Sequence, residues 1–225
     1  MSLFSGLFRK KVMYHAELPS RERIVRVFEE HLVPVLEPRG FIFRPKDLEF
    51  RRDRGDLLDI IDHATTHYNS SAARIVDFRP SFTVRSKAYA VWGKAHVLKT
   101  HDGTLWHGDL EKWSGTDRYG FDHRYSLGTM DNERLISGYI HNLSEHVVPF
   151  MDSLSTLERV LEHQRRAGTD NGAGHVQLAC MLGLCDEARR TLTLHEQAMA
   201  KYMDKPEVAE RMHRTRKLVN DLLAR

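Results

Sequence analysis

The residues best able to do chemistry are histidines lying close to carboxylates. The run DIIDHATTH carries Asp59, Asp62, His63 and His67. On a helix, His63 and His67 stand at i,i+4 and Asp59 extends the same row. Imidazole with carboxylate is a donor set for Zn, Mn or Fe. The neighbouring residues favour a strand instead, in which Asp59, His63 and His67 share a face but spread over about 26 Å, too far for one ion. A second run, IHNLSEHVV, places His141 and Glu145 at i,i+4 on a clear helical pattern. His146 follows His141 by five residues, which in an α-helix points its ring roughly 140° away. A metal-dependent hydrolase therefore requires Asp59, His63, His141 and Glu145 to converge in the fold around Zn, Mn or Fe. No HExxH pair, phosphate-cradling glycine loop, kinase motif set or paired nucleophile accompanies them, and no catalytic residue or other cofactor is indicated.

The second concentration is LWHGDLEKW followed by DRYGFDHRY. Trp106, His107, Asp109, Trp113, Arg118, Tyr119 and His123 combine aromatic area with charge of both signs, the mixture a binding patch uses. Base-stacking surfaces need surrounding phosphate contacts. Here Asp109, Glu111, Asp117 and Asp122 largely cancel Lys112, Arg118 and Arg124, so nucleic acid is not the expected partner. A protein or a small ligand is. Near the C-terminus, His213, Arg214, Arg216 and Lys217 form the densest positive run, a solvated helix face or a contact for an acidic partner.

These residues must be positioned by regular elements. RERIVRVFEEHLVPVLEPRG, with Ser20 as the expected N-cap, carries Ile24, Val27, Phe28, His31 and Val35 at helical spacing. This predicts a helix from Ser20 to Leu36, with Pro34 bending its last turn. FIFRPKDLEFRR reads as two short strands around Pro45-Lys46-Asp47. In RIVDFRPSFTVRS, Val76, Phe78, Phe82 and Val84 alternate with polar residues, a half-buried strand whose Pro80 suits an edge or a bulge. AYAVWGKAHVL reads as another strand. Residues 99–130 are an ordered excursion with one or two short strands. From Asp131 the pattern is helical, broken at Ala167–Gly172. The expectation is an α+β protein: an antiparallel sheet of four to six strands packed against helices over residues 1–166, then a C-terminal helical extension over 172–225.

The composition suits an ordinary globular protein. The 225 residues are 41% apolar and 29% charged, which excludes low-complexity and collagen-like chains and leaves enough chain for a self-sufficient core. Thirty-four Lys and Arg against thirty-one Asp and Glu leave a formal charge of only +3, too small an excess to mark a dedicated nucleic-acid binder. Cys180 and Cys185 lie on different helix faces, so they read as reduced thiols in a cytoplasmic setting. At the N-terminus, Leu3, Phe4, Leu7 and Phe8 form one stripe before Arg9, Lys10 and Lys11. That order is not a secretory signal. It leaves two readings for residues 1–11: an arm on its own domain, or a peripheral membrane contact. Self-association also stays open.

GFIFRPKDLEFRR, LLDIID, PSFTVRS, LWHGD and HVVPFMDSLSTLERVL follow one another in an order that resembles the uncharacterised bacterial family called domain of unknown function 4304. The matching residues are Gly40 with Phe41, Phe50 with Arg51, Phe82 to Val84, and Pro149 with Phe150. The resemblance spans about residues 20–165, rests on core and turn positions, and departs at DHATTHYNSS and in the helical tail. It transfers no catalytic residues. It implies a bacterial cytoplasmic protein with immunity- or antitoxin-like partner binding, and the expected function is accordingly a non-enzymatic binding protein.

Overall fold

Strands of alternating character build a six-stranded antiparallel sheet in the order β1-β2-β3-β4-β5, with β6 paired to β4. The computed structural model describes residues 11–66, 69, 75–97, 99–109, 125–168 and 172–223. The strands are β1 (Ile42–Arg44), β2 (Glu49–Arg54), β3 (Leu57–Thr65), β4 (Asp77–Ser86), β5 (Thr104–Asp109) and β6 (Tyr125–Ser126). β1 and β2 form the hairpin expected around Pro45-Lys46-Asp47, with Phe43 opposite Phe50. Asp77 pairs with Ser126 and Phe78 with Tyr125. Pro80 differs from expectation, because β4 lies inside the sheet between β3 and β5. Its missing N–H falls beyond the two residues that pair with β6.

Two helical rods share one construction. The first is α1 (Ser20–Val27), a π-turn at Phe28–Leu32 and α2 (Val33–Leu36). The second is α4 (Asn132–Asn142), a π-turn at Leu143–Val147 and α5 (Val148–Ser153). In both, a proline stands two residues after the π-turn, at Pro34 and Pro149. A proline inside a helix lacks a donor and crowds the carbonyl four residues back. Widening the preceding turn relieves that crowding, so the rods run on through their prolines. The Val33 and Val148 amides then reach back five residues, to the Phe28 and Leu143 carbonyls. Ser20 is the first helical residue and Pro19 the cap, one position from the expected start.

Contacts divide the chain into two units. The first comprises residues 1–53, 59–83 and 107–150, and the second 54–58, 84–106 and 151–225. The second unit groups the helices after Met151 with residues 84–106, and the break in helical pattern at 167–172 lies inside it. In the first unit the core is an aromatic cluster: Phe28, Phe50, Phe78, Tyr125 and Tyr139 are each at most 2% exposed. Asn132 ties its N-terminal segment down, with Oδ1 accepting from the Tyr14 amide (2.8 Å) and from Arg23 Nη2 (3.0 Å).

The second unit contains α3 (Lys87–His96), α6 (Leu157–Arg166), α7 (Ala173–Met181), α8 (Cys185–Met199) and α9 (Pro206–Leu223). Residues 87–96 are helical where a strand was expected. Ser86 caps the helix by accepting from the Tyr89 amide (2.9 Å), and Asp56 accepts from the Ser86 hydroxyl (2.6 Å) and the Ala88 amide (2.7 Å). Tyr89 and Gly93, four apart, face inward while Val91 is 71% exposed, so the apolar period is helical and the apparent alternation incidental. Val176, Leu192, Met212 and Val219 form the helical core, with Cys180 against it. Burial pushes the Cys180 thiol up to about 11, and both cysteines are free.

One carboxylate gathers α6, α7 and α8. Glu187 Oε1 accepts from Arg165 Nε (2.9 Å), Arg190 Nη2 (2.9 Å) and His175 Nε2 (2.8 Å). His175 Nδ1 faces Gln164 Oε1 (2.9 Å), whose amide is oriented by donating to the Leu105 carbonyl (3.2 Å). Desolvation raises the Glu187 pKa, but the three donors outweigh it and hold the carboxyl near 2.

Two predictions follow from this unit. Gly103 has φ +76°, and an added Cβ would lie 2.2 Å from the Ser86 carbonyl. Urea unfolding should show Gly103→Ala to be destabilising by about 2–4 kcal/mol, combining left-handed strain with overpacking. Gly55→Ala, at φ +80° with nothing within 4 Å, should lose only about 1 kcal/mol. For Glu187 the folded pKa lies below the unfolded value of 4.5, so its contribution is complete above that pH and is lost as pH falls towards 2. The stability gap between wild type and Glu187→Gln should close across that window.

Candidate functional site

The four residues of the expected metal set are not brought together. Asp59 is fully buried and taken by Arg52, whose Nε donates to it at 2.8 Å and whose Nη2 lies within ion-pair distance at 2.7 Å. His63 lies on the same face of β3, 2% exposed, with both ring nitrogens engaged. Nδ1 donates to the Leu48 carbonyl (2.8 Å) and Nε2 accepts from the Tyr139 hydroxyl (2.7 Å), a pairing that requires the neutral ring. Phe28, Phe50 and Phe78 surround it, their ring centroids 4.5, 5.9 and 5.7 Å away. Burial outweighs the bond to Leu48 and pushes the His63 pKa down to about 4. His141 and Glu145 are exposed on the second rod. Among the described residues, no three or more His, Cys, Asp or Glu side chains are placed to hold a metal ion.

Of the expected binding patch, Trp113, Arg118, Tyr119 and His123 lie outside the described residues, as does the side chain of Asp109. Trp106 is half-buried and His107 exposed on β5. His107 Nδ1 is 2.9 Å from Thr83 Oγ1 on β4. Asp62 on β3 points away from the His63 face, as strand alternation requires. Its carboxyl is raised by burial and by Glu49 on β2, and partly offset by His107. Glu49 is itself buried and paired with Arg51. Four strands thus bring Glu49, Asp62, Thr83 and His107 to one polar sheet face. Of these the sequence singled out Asp62 and His107, in separate groups; that they share a face with Glu49 and Thr83 comes from cross-strand register.

A concave site of ligand size lies in the second unit. It has a volume of about 530 Å³ and is lined by the end of α3 (Ala95, His96, Val97), Gln177 of α7 and one side of α9. Tyr89 positions Gln177: its hydroxyl is 3.2 Å from Gln177 Oε1 and 3.3 Å from the Gly174 carbonyl. Burial raises the Tyr89 pKa, keeping that donor protonated. On α9, buried Thr215 and Leu218 form the floor, and Thr215 satisfies its hydroxyl by donating to the Arg211 carbonyl (3.0 Å). Arg211, Arg214 and Lys217 line the rim, with Glu207 and Asp221 near its two ends. Arg214 is held by Glu210 (3.0 Å), whereas Arg211 and Lys217 have no carboxylate partner among the described residues. Of the C-terminal positive run, Arg216 is taken by Glu196 (2.7 Å) and His213 is exposed.

Comparison of the chain with family models, with curated proteins and with solved structures finds no match. No helix among the described residues is long and apolar enough to cross a membrane.

The His63 pocket generates a pH prediction. The unfolded ring protonates near 6.5 and the folded ring near 4, so between these values the unfolded chain binds more protons. The stabilisation is complete above about 6.5 and is lost as pH falls towards 4. Lowering pH from 7 to 5 should therefore remove about 2 kcal/mol through this group alone. His63→Gln should flatten that slope, and NMR should show the native ring still neutral near pH 5.

Proposed function

We propose that the chain is a non-enzymatic binding protein whose ligand is a small molecule with an apolar body and one acidic group, held in the cleft of α3, α7 and α9. The carrying observation is the cleft itself: about 530 Å³ over Leu218 and a Thr215 whose hydroxyl is already satisfied, with Arg211 and Lys217 at the rim lacking a carboxylate partner among the described residues. Clefts of roughly 300–1,000 Å³ are the usual size for small ligands. Two turns of a partner helix, about 11 Å long and 10–12 Å across, occupy on the order of 1,000 Å³ and would rest on this cleft rather than in it. That comparison favours a small ligand over a protein segment. An acidic group reaching Arg211 or Lys217 gains a charge-assisted hydrogen bond. The side chains suited to catalysis support the same reading, since Asp59, His63 and His175 are each committed to packing partners. The resemblance to the domain of unknown function 4304 family is in keeping with binding in a bacterial cytoplasm.

The test uses decanoate, decanol, acetate and decyltrimethylammonium below their aggregation limits, followed by calorimetry and by amide NMR of the full chain. Decanoate should bind best and shift Val97, Gln177 and Leu218. The exposed double variant Arg211→Glu, Lys217→Glu should weaken it at least about tenfold. Equal binding of decanol and decanoate, or shifts outside this cleft, would overturn the proposal.

A further inference from the structure

The π-turn of the second rod changes which side chains are neighbours. With α-helical geometry throughout, His141 and His146 would diverge by roughly 140°. The wider turn at Leu143–Val147 brings them together instead: their ring centroids are 6.1 Å apart and their planes at 84°. Both side chains are exposed. The first rod differs at the corresponding places, where Arg26 and Glu30 form an ion pair (2.8 Å) and His31 stacks on Tyr14 with centroids 4.5 Å apart.

Backbone chemistry holds the turn in this shape. The Val148 amide is used by the Leu143 carbonyl, five residues back. The Ser144 carbonyl thereby loses its usual α-helical donor, and the residue five beyond it is Pro149, which has no N–H. Arg39 Nη1 donates to that carbonyl at 3.2 Å, supplying the missing partner from another element. The alignment of the two rings is therefore supported by tertiary contact.

We infer that His141 and His146 form a two-imidazole chelate for a divalent transition-metal ion, with water filling the remaining positions. Two imidazoles binding one ion at about 2.0–2.1 Å place their ring centroids roughly 4.5–5.5 Å apart. The two exposed rings stand at 6.1 Å, within about 1.5 Å of that spacing, and side-chain rotation is the motion that would close it. Imidazole donors select Cu²⁺, Ni²⁺ and Zn²⁺ over Mg²⁺ and Ca²⁺, with Cu²⁺ strongest in the divalent series. The site differs from the His141–Glu145 pair suggested by helical spacing, because its second ligand is the i+5 histidine.

Untagged full-length chain titrated with Cu²⁺, Ni²⁺, Zn²⁺ and Mg²⁺, by calorimetry and NMR of the histidine rings, decides the point. The expected result is one site, strongest for Cu²⁺ and undetected for Mg²⁺. His141→Ala and His146→Ala should each weaken it at least about tenfold, while Glu145→Gln and His213→Ala leave it within about twofold. Circular dichroism of each variant checks that the fold is kept. If His146→Ala binds as tightly as wild type, or Glu145→Gln abolishes binding, the i,i+5 chelate is wrong.

Discussion

The first unit is organised around an imidazole that burial holds neutral. His63 is enclosed by Phe28, Phe50 and Phe78 and bonded at both nitrogens, to the Leu48 carbonyl and the Tyr139 hydroxyl. These partners come from the first rod, the β1–β2 hairpin, β4 and the second rod, so one ring sets the register of elements far apart in sequence. A buried polar group is costly unless satisfied, and here both sites of the neutral ring are satisfied. An apolar residue could fill the space, but it would leave the Leu48 carbonyl and Tyr139 hydroxyl without these bonds. The same arrangement removes His63 from metal chemistry, because its unprotonated nitrogen is occupied.

The second unit meets the problem of helix assembly with the opposite charge state of its hub. Glu187 is held ionised by Arg165, Arg190 and His175, and links three helices beside their buried apolar contacts. Exposed pairs such as Arg159–Glu162 on the same helices contribute little beside it. On α9, Arg214 and Arg216 are paired with Glu210 and Glu196, while Arg211 and Lys217 line the cleft.

The two π-turns show how one local rule has different consequences in context. Pro34 and Pro149 widen the preceding turn in the same way, but the side chains displaced differ. In the first rod the result is an Arg26–Glu30 ion pair and a stacked His31. In the second it is a pair of facing imidazoles. The Arg26–Glu30 pair is the i,i+4 neighbour of an ideal helix, but the facing imidazoles are not visible in a 3.6-residue period, which is why helical spacing selected Glu145 as the neighbour of His141 when the facing side chain is that of His146.

By itself the sequence determined the α+β class, the Pro45-Lys46-Asp47 hairpin, the two proline-bearing rods and the helical C-terminus, because apolar periodicity and turn residues act locally. It misled at 87–96, which reads as a strand and is a helix, since Ala, Val and Trp fit either period and the deciding contacts, Ser86 with Asp56 and Tyr89 with Gln177, are made after folding. Only the tertiary structure decided what each histidine does. His63 became core, His175 joined an ion-pair hub, and His141 came to face His146. The physical reason is that burial, charge state and ring orientation depend on non-local neighbours, and fourteen histidines of the same chemistry carry no local mark of which neighbours they will meet.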